Sequence, residues 1–174
     1  ILTVFFFGGI YAQSNFSFNT EKMLIFGIVL NVAAGIGAFA FGFLDDILGA
    51  KRTVQISNYA IFTSIIIAVL APSVVWFWVA GIILGVFSGP NQAASRSLMG
   101  RIVPKDKVNE FFGFYAFSGK ATSFMGPLLL AIIKQITGSQ KIGMLAVAVL
   151  LILGIYLLSG VNDRYLEKTQ NDLK

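Results

Sequence analysis

Residues Glu110 to Lys134 read "EFFGFYAFSGKATSFMGPLLLAIIK", and between the two terminal charges the only charged side chain is Lys120. In a soluble helix a lysine marks the wet face, and polar residues would recur beside it at helical spacing. Here the neighbours are rings, aliphatic chains and small residues. About 20 mostly apolar residues suffice to cross about 30 Å of hydrocarbon, so the stretch reads as a membrane span with an ammonium group near its middle. The whole chain agrees. Apolar residues make up 56% of 174 and charged residues 12%, against about 25% charged in a soluble domain, and the mean hydropathy is +0.81.

The same length criterion predicts five complete spans, at 23–44, 54–71, 74–99, 111–133 and 142–161. The opening run, 1–12, reaches only about 18 Å as a helix. With no starting Met, and no basic leader to make it a signal peptide, it reads as the end of a span cut off upstream. Residues 1–161 thus form one transmembrane helical domain with its first span truncated, and 162–174 a polar tail. The expected fold class is an all-α membrane protein, a six-helix half-bundle whose short connections make successive spans antiparallel neighbours.

Assigning the connections alternately to two sides places Lys51, Arg52, Arg101, Lys105, Lys107, Arg164, Lys168 and Lys174 on one side, and Lys22, Lys134 and Lys141 on the other. The positive-inside rule makes the first side cytoplasmic, with loops 45–53 and 100–110 and the tail. The net charge of +5 is therefore a topology signal. Its residues are spread over separate short loops and carry no nucleic-acid-binding pattern, so no nucleic acid is expected as a partner. Cysteine and histidine are absent, which removes disulfides, thiolate metal sites and the commonest proton shuttle. No metal or cofactor is expected. With no paired acids, nucleophile elbow or phosphate-cradling loop, the chain does not read as an enzyme or an ATP-driven pump. It also lacks the repeated pore-lining rings of a channel.

Two Gly-Pro pairs lie inside spans: Gly89 and Pro90 in "SGPNQAASRS", and Gly126 and Pro127 in "FMGPLLL". Proline removes a backbone donor and crowds the preceding turn, so each pair is expected to bend or loosen its helix and to serve as a hinge or line a path. Gly81 and Gly85 form a small-xxx-small pair of the kind that lets membrane helices approach closely. The connection "GFLDDILGAKR" has the spacing G-x-L-x-D-x-x-G-x-K-R over Gly42, Leu44, Asp46, Gly49, Lys51 and Arg52. Gly42 lets helices close up at the membrane edge, Gly49 permits a tight reversal, and Asp46 is placed to accept from backbone donors at a helix start. Lys51 and Arg52 are expected to meet lipid headgroups or a carboxylate.

That connection resembles the loop motif of the major facilitator superfamily, found after the second and, less faithfully, the eighth of twelve spans. Ile47 and Ala50 stand where basic residues are common, which matches the weaker copy, so the resemblance makes these spans seven to twelve. "GPNQAASRSLMGRIVP", "EFFGFYAFSGKATSFMGPLL" and "TGSQ" resemble the vacuole-effluxer-like permease branch of that superfamily, over nearly the whole chain. The resemblance implies a secondary transporter working by alternating access, with an N-terminal six-span half as partner, set in the bacterial cytoplasmic (inner) membrane. It also implies that Asp46 braces a helix of the other half. Amino-acid efflux is attributed to vacuolar members, and a proton or ion is the expected coupling species.

Lys120 lies about 14 Å into its span, near the midplane, where a lipid-facing charge costs at least about 2.5 to 3.5 kcal/mol. It should therefore face protein or water. On a helical wheel Gly113, Ala116, Ser123, Pro127 and Ala131 share its side, while Phe111, Phe114, Leu129, Ile132 and Ile133 point away. No complete span contains an acid, so three ways to accommodate the charge stay open: a carboxylate from outside this half, an anionic group on the solute, or deprotonation through burial. An interdomain ion pair without solute contact is the plainer reading of the same residue. Ser123, Asn31, Asn91 and Gln92 complete the polar groups expected along a pathway, although Asn31 serves equally as an interhelical hydrogen bond. The competing function is a non-transporting membrane scaffold or sensor, which gains nothing from a costly mid-membrane charge.

Overall fold

The computed structural model describes residues 2–161. The described elements are helices: α1 (Leu2–Phe16), α2 (Thr20–Leu48), α3 (Ala50–Leu70), α4 (Val74–Ile102), a 3-10 turn at Lys105–Lys107, α5 (Val108–Ser123), α6 (Met125–Thr137) and α7 (Gln140–Ser159). Five segments are long and apolar enough to cross a membrane: Thr20–Phe43, Ala50–Leu70, Val74–Ile102, Val108–Thr137 and Gln140–Ser159. The tail 162–174 lies outside the described residues.

The connections are tighter than composition alone implies. The polar stretch 45–53 was expected as a loop, yet α2 runs to Leu48 and α3 begins at Ala50, so Gly49 alone makes the reversal. Its φ of 83° and ψ of 151° belong to a region open essentially to glycine, and its N–H bonds back to the Asp45 carbonyl at 3.0 Å. The stretch "QSNFSFNT" likewise contributes a last helical turn to α1. Only Ser17, Phe18 and Asn19 are non-helical there. Asn19 caps α2 by accepting from the Lys22 N–H at 2.9 Å, and buried Phe18 packs edge-on to Phe26 and Phe77. With Tyr11, Phe16 and Trp78 these rings close that end of the bundle.

α4 is the central element, clasped by α2 on one side and α3 on the other. Gly81, Gly85 and Gly89 recur every fourth residue along it, and a Cβ at any of them would collide with Phe26, with Leu30 and Ala33, or with the Ala34 carbonyl of α2. The expected pair Gly81 and Gly85 is thus part of a longer contact stripe. From the other helix, Gly37 brings its Cα against the Val86 carbonyl. That carbonyl is the one whose helical donor is missing, because Pro90, four residues on, has no N–H.

The two Gly-Pro pairs behave differently. α4 is helical without interruption from Val74 to Ile102, through Gly89 and Pro90, so this pair does not divide its span. At Gly126 and Pro127 the span divides into α5 and α6 around Phe124. The difference follows from packing. Residues around Pro90 are gripped from both sides, whereas α5 touches only α6 and the 3-10 turn to any extent.

Candidate functional site

The end of the bundle that carries Gly49 is a rim of charge. Lys51, in the first turn of α3, donates from Nζ to the carbonyls of Ser159 at 2.9 Å and Val161 at 2.5 Å. These carbonyls belong to the unsatisfied C-terminal end of α7, where a cation is favoured by the helix dipole as well as by hydrogen bonding. The expected headgroup or carboxylate partner is therefore replaced by a helix terminus. Asp45 Oδ2 meets Arg101 of α4 at 3.5 Å, while its buried Oδ1 has no hydrogen-bond partner. Sequence reading had singled out neither member of that pair. An acid at the C-terminal end of a helix is unfavourably placed, and Arg101 offsets this for Asp45.

Asp46 has no such relief. It lies in the last turn of α2, exposed, and makes no hydrogen bond or ion pair among the described residues. The expected acceptance from backbone donors at the start of α3 is not seen, because α2 continues past Asp46 and the single-residue turn leaves α3 without a side-chain cap. Gly42 is exposed with open space where a Cβ would sit, and Arg52 is exposed without a partner among the described residues.

The polar groups expected along a pathway separate into two sets. Asn91 is buried between α3 and α4, donating to Asn58 Oδ1 at 2.7 Å and, more distantly, to the Val54 carbonyl at 3.5 Å. Its amide thus serves an interhelical contact, with Asn58 as a partner that sequence reading did not mark. The other set is exposed. Lys120 projects from α5 with its ammonium unpaired among the described residues, Gln92 is exposed on α4, and Asn31 is exposed on α2. Asn31 donates to the Gly27 carbonyl at 2.8 Å and Ser123 to the Lys120 carbonyl at 2.6 Å, each back onto its own helix. Among the described residues, no side-chain-to-side-chain hydrogen bond joins Lys120, Asn31, Gln92 and Ser123; the Ser123 bond goes to the backbone of Lys120.

The contrast expected around α5, small residues inward and bulky ones outward, is not drawn in the structure. Phe114 is 70% exposed, and Gly113, Ala116 and Lys120 are exposed as well. With so little of α5 packed, neither side is covered. Lys120 nevertheless lies well inside the 30-residue apolar segment Val108–Thr137, about 18 Å along the helix from Val108. Among the described residues, no group of three or more His, Cys, Asp or Glu side chains is placed to hold a metal.

The sequence pattern of the vacuole effluxer Atg22-like family matches residues 1–171. A Bacillus subtilis (strain 168) protein bearing the name uncharacterized MFS-type transporter YxiO is 30% identical over 163 residues, covering 92% of this chain and 38% of that protein. Autophagy-related protein 22 of Cryptococcus neoformans var. neoformans serotype D (strain B-3501A) is 25% identical over 170 residues, covering 87% of this chain and 31% of that protein. The chain thus spans about a third of the length of these curated relatives. No solved structure matches. These matches cover both Gly-Pro stretches, the loop at Gly49 and the segment around Lys120. The chain belongs to the vacuole effluxer Atg22-like family, and its apolar helices make it an integral multi-pass membrane protein of the major-facilitator permease branch.

Proposed function

We propose that the chain supplies one wall of a secondary carrier that moves a small polar solute, an amino acid or a related compound, by alternating access. The observation that carries this reading is Lys120, an ammonium deep in an apolar segment with no partner among the described residues. Such a charge is costly against lipid and is tolerated facing protein or a water-filled cavity. The carboxylate of an amino acid, or an acid of the remaining spans, is its natural counter-charge. The remaining wall is a second six-span half, and a proton or ion drives the cycle. Gln92 and Asn31, both exposed, join Lys120 along the path, with Ser123 beside it. Asn91 acts one step back by holding α4 on α3.

The test is Lys120→Met in the protein that contains this chain, reconstituted in vesicles. Met keeps length and insertion while deleting the charge. Transport should fall by at least about tenfold with unchanged protein amount, equivalent to losing about 1.4 kcal/mol of a binding or barrier term. Transport at the unmodified rate would remove Lys120 from the pathway.

A further inference from the structure

Between α3 and α7, away from Lys120, lies an open groove of about 440 Å³ lined by Tyr59, Phe62, Ile152, Ile155, Tyr156 and Ser159. Tyr59 and Tyr156 are 58% and 74% exposed, and neither hydroxyl makes a hydrogen bond among the described residues. Both helices are long and apolar enough to span the membrane, so the mouth of the groove opens toward hydrocarbon. Whatever fills it needs an apolar body for Phe62, Ile152 and Ile155, and acceptors for two phenol donors.

Charge at the end of the groove narrows the choice. Arg52 lies seven residues before Tyr59, two turns along α3 and therefore on the same side of the helix, about 10 Å nearer the rim. Its guanidinium has no partner among the described residues. Lys51 is anchored on the Ser159 and Val161 carbonyls, which places a second cation beside the groove-lining Ser159. Among the described residues the acids of that rim do not neutralise either cation: Asp45 is on Arg101, and Asp46 is unpaired. An apolar slot, hydrogen-bond donors at its upper walls and two cations above them match, in order, the acyl chains, ester carbonyls and phosphate of a glycerophospholipid.

We infer that this groove holds an anionic glycerophospholipid, with its phosphate on Arg52, its ester oxygens accepting from Tyr59 and Tyr156, and an acyl chain along Phe62, Ile152 and Ile155. A zwitterionic lipid offers the same chains and esters but brings its own cation to a mouth that already holds two. Lys51 is committed to the Ser159 and Val161 carbonyls, so the preference for an anionic headgroup rests on Arg52, and one such cation near the surface is worth about fivefold.

A tryptophan reporter in the groove tests this. In the protein that carries the chain, Trp76, Trp78 and any tryptophan outside residues 1–174 are replaced by Phe and Phe62→Trp is introduced, with Tyr156→Trp as the second reporter should the first not fold. Quenching is then measured in vesicles with phosphatidylglycerol or phosphatidylcholine brominated on the acyl chain. Phosphatidylglycerol should quench at about a fivefold lower mole fraction. Arg52→Gln should abolish that difference, and Arg52→Lys should retain it. Equal quenching by the two lipids, or a preference that survives Arg52→Gln, would overturn the assignment. So would quenching by neither lipid until residues 162–174 are removed, which would give the groove to the chain's own tail.

Discussion

Asp46 is the residue whose surroundings fit it least. An unpaired carboxylate in the last turn of a helix faces the partial negative charge of the backbone carbonyls, and nothing among the described residues offsets it. Its neighbour Asp45 has Arg101. The residual mismatch at Asp46 is accounted for if its partner belongs to the other half of the carrier and is engaged in one conformation only. Asp46→Asn should then change the balance between inward-open and outward-open states while leaving the affinity for solute unchanged. The balance can be read from maleimide accessibility of single cysteines on the two faces, after any cysteine outside residues 1–174 is replaced by serine; these residues contain none. Unaltered accessibility on both faces would show that Asp46 has no conformational role. The motif's glycine is easier to interpret. Gly49 was legible as a reversal, and its φ of 83° gives the reason that no other residue serves as well.

Among the elements, α2 and α4 approach closely where side chains are missing. A methyl group at Gly37 would overlap the Val86 carbonyl, whereas Gly35, two residues earlier on the same helix, has open space around it. Gly37→Ala should therefore push the helices apart and destabilise the protein by about 1 to 3 kcal/mol, while Gly35→Ala should be near neutral. Thermal unfolding of the two variants in the same detergent checks this, and equal midpoints would contradict the close contact. The same interface shows what sequence reading reaches. Spans were legible because hydropathy is a local property of 20 or so residues. The two Gly-Pro dipeptides are chemically alike, yet one lies in an unbroken helix and the other between α5 and α6. That difference is set by neighbours distant in sequence. Asn91 was misleading for the same reason. An amide in a span looks equally suited to a solute or to a second amide, and only the approach of Asn58 gives it an interhelical partner. The Asp45–Arg101 pair joins positions 56 residues apart, which no local pattern encodes. Lys120 stood out because an isolated charge in a long apolar run is anomalous without reference to anything else.

At the scale of the molecule, the described bundle is unevenly finished. α4 is packed between α2 and α3, and α7 between α3 and α6, while α5 is nearly bare and carries the charge proposed to meet solute. A carrier wall facing a partner half would have this distribution, with its packed side holding shape and its open side waiting for the second half. Each span is long enough to insert and carries its own flanking charges, so the chain expressed alone should adopt the orientation with 45–53 and 100–110 in the cytoplasm. Membrane-impermeant maleimide should label Ser139→Cys but not Asp106→Cys in intact cells, and the reverse pattern would invert the topology. Transport is a separate matter. Alternating access in this architecture moves one half against the other around a shared site near the midplane, and a single wall has nothing to rock against. Vesicles containing only this chain should show no solute flux above empty vesicles, and flux should appear when the remaining spans are supplied as a second polypeptide. Flux from the chain alone would replace the half-carrier with a self-associating transporter, in which two copies of α5 face each other and the like charges at Lys120 are bridged by an anionic solute.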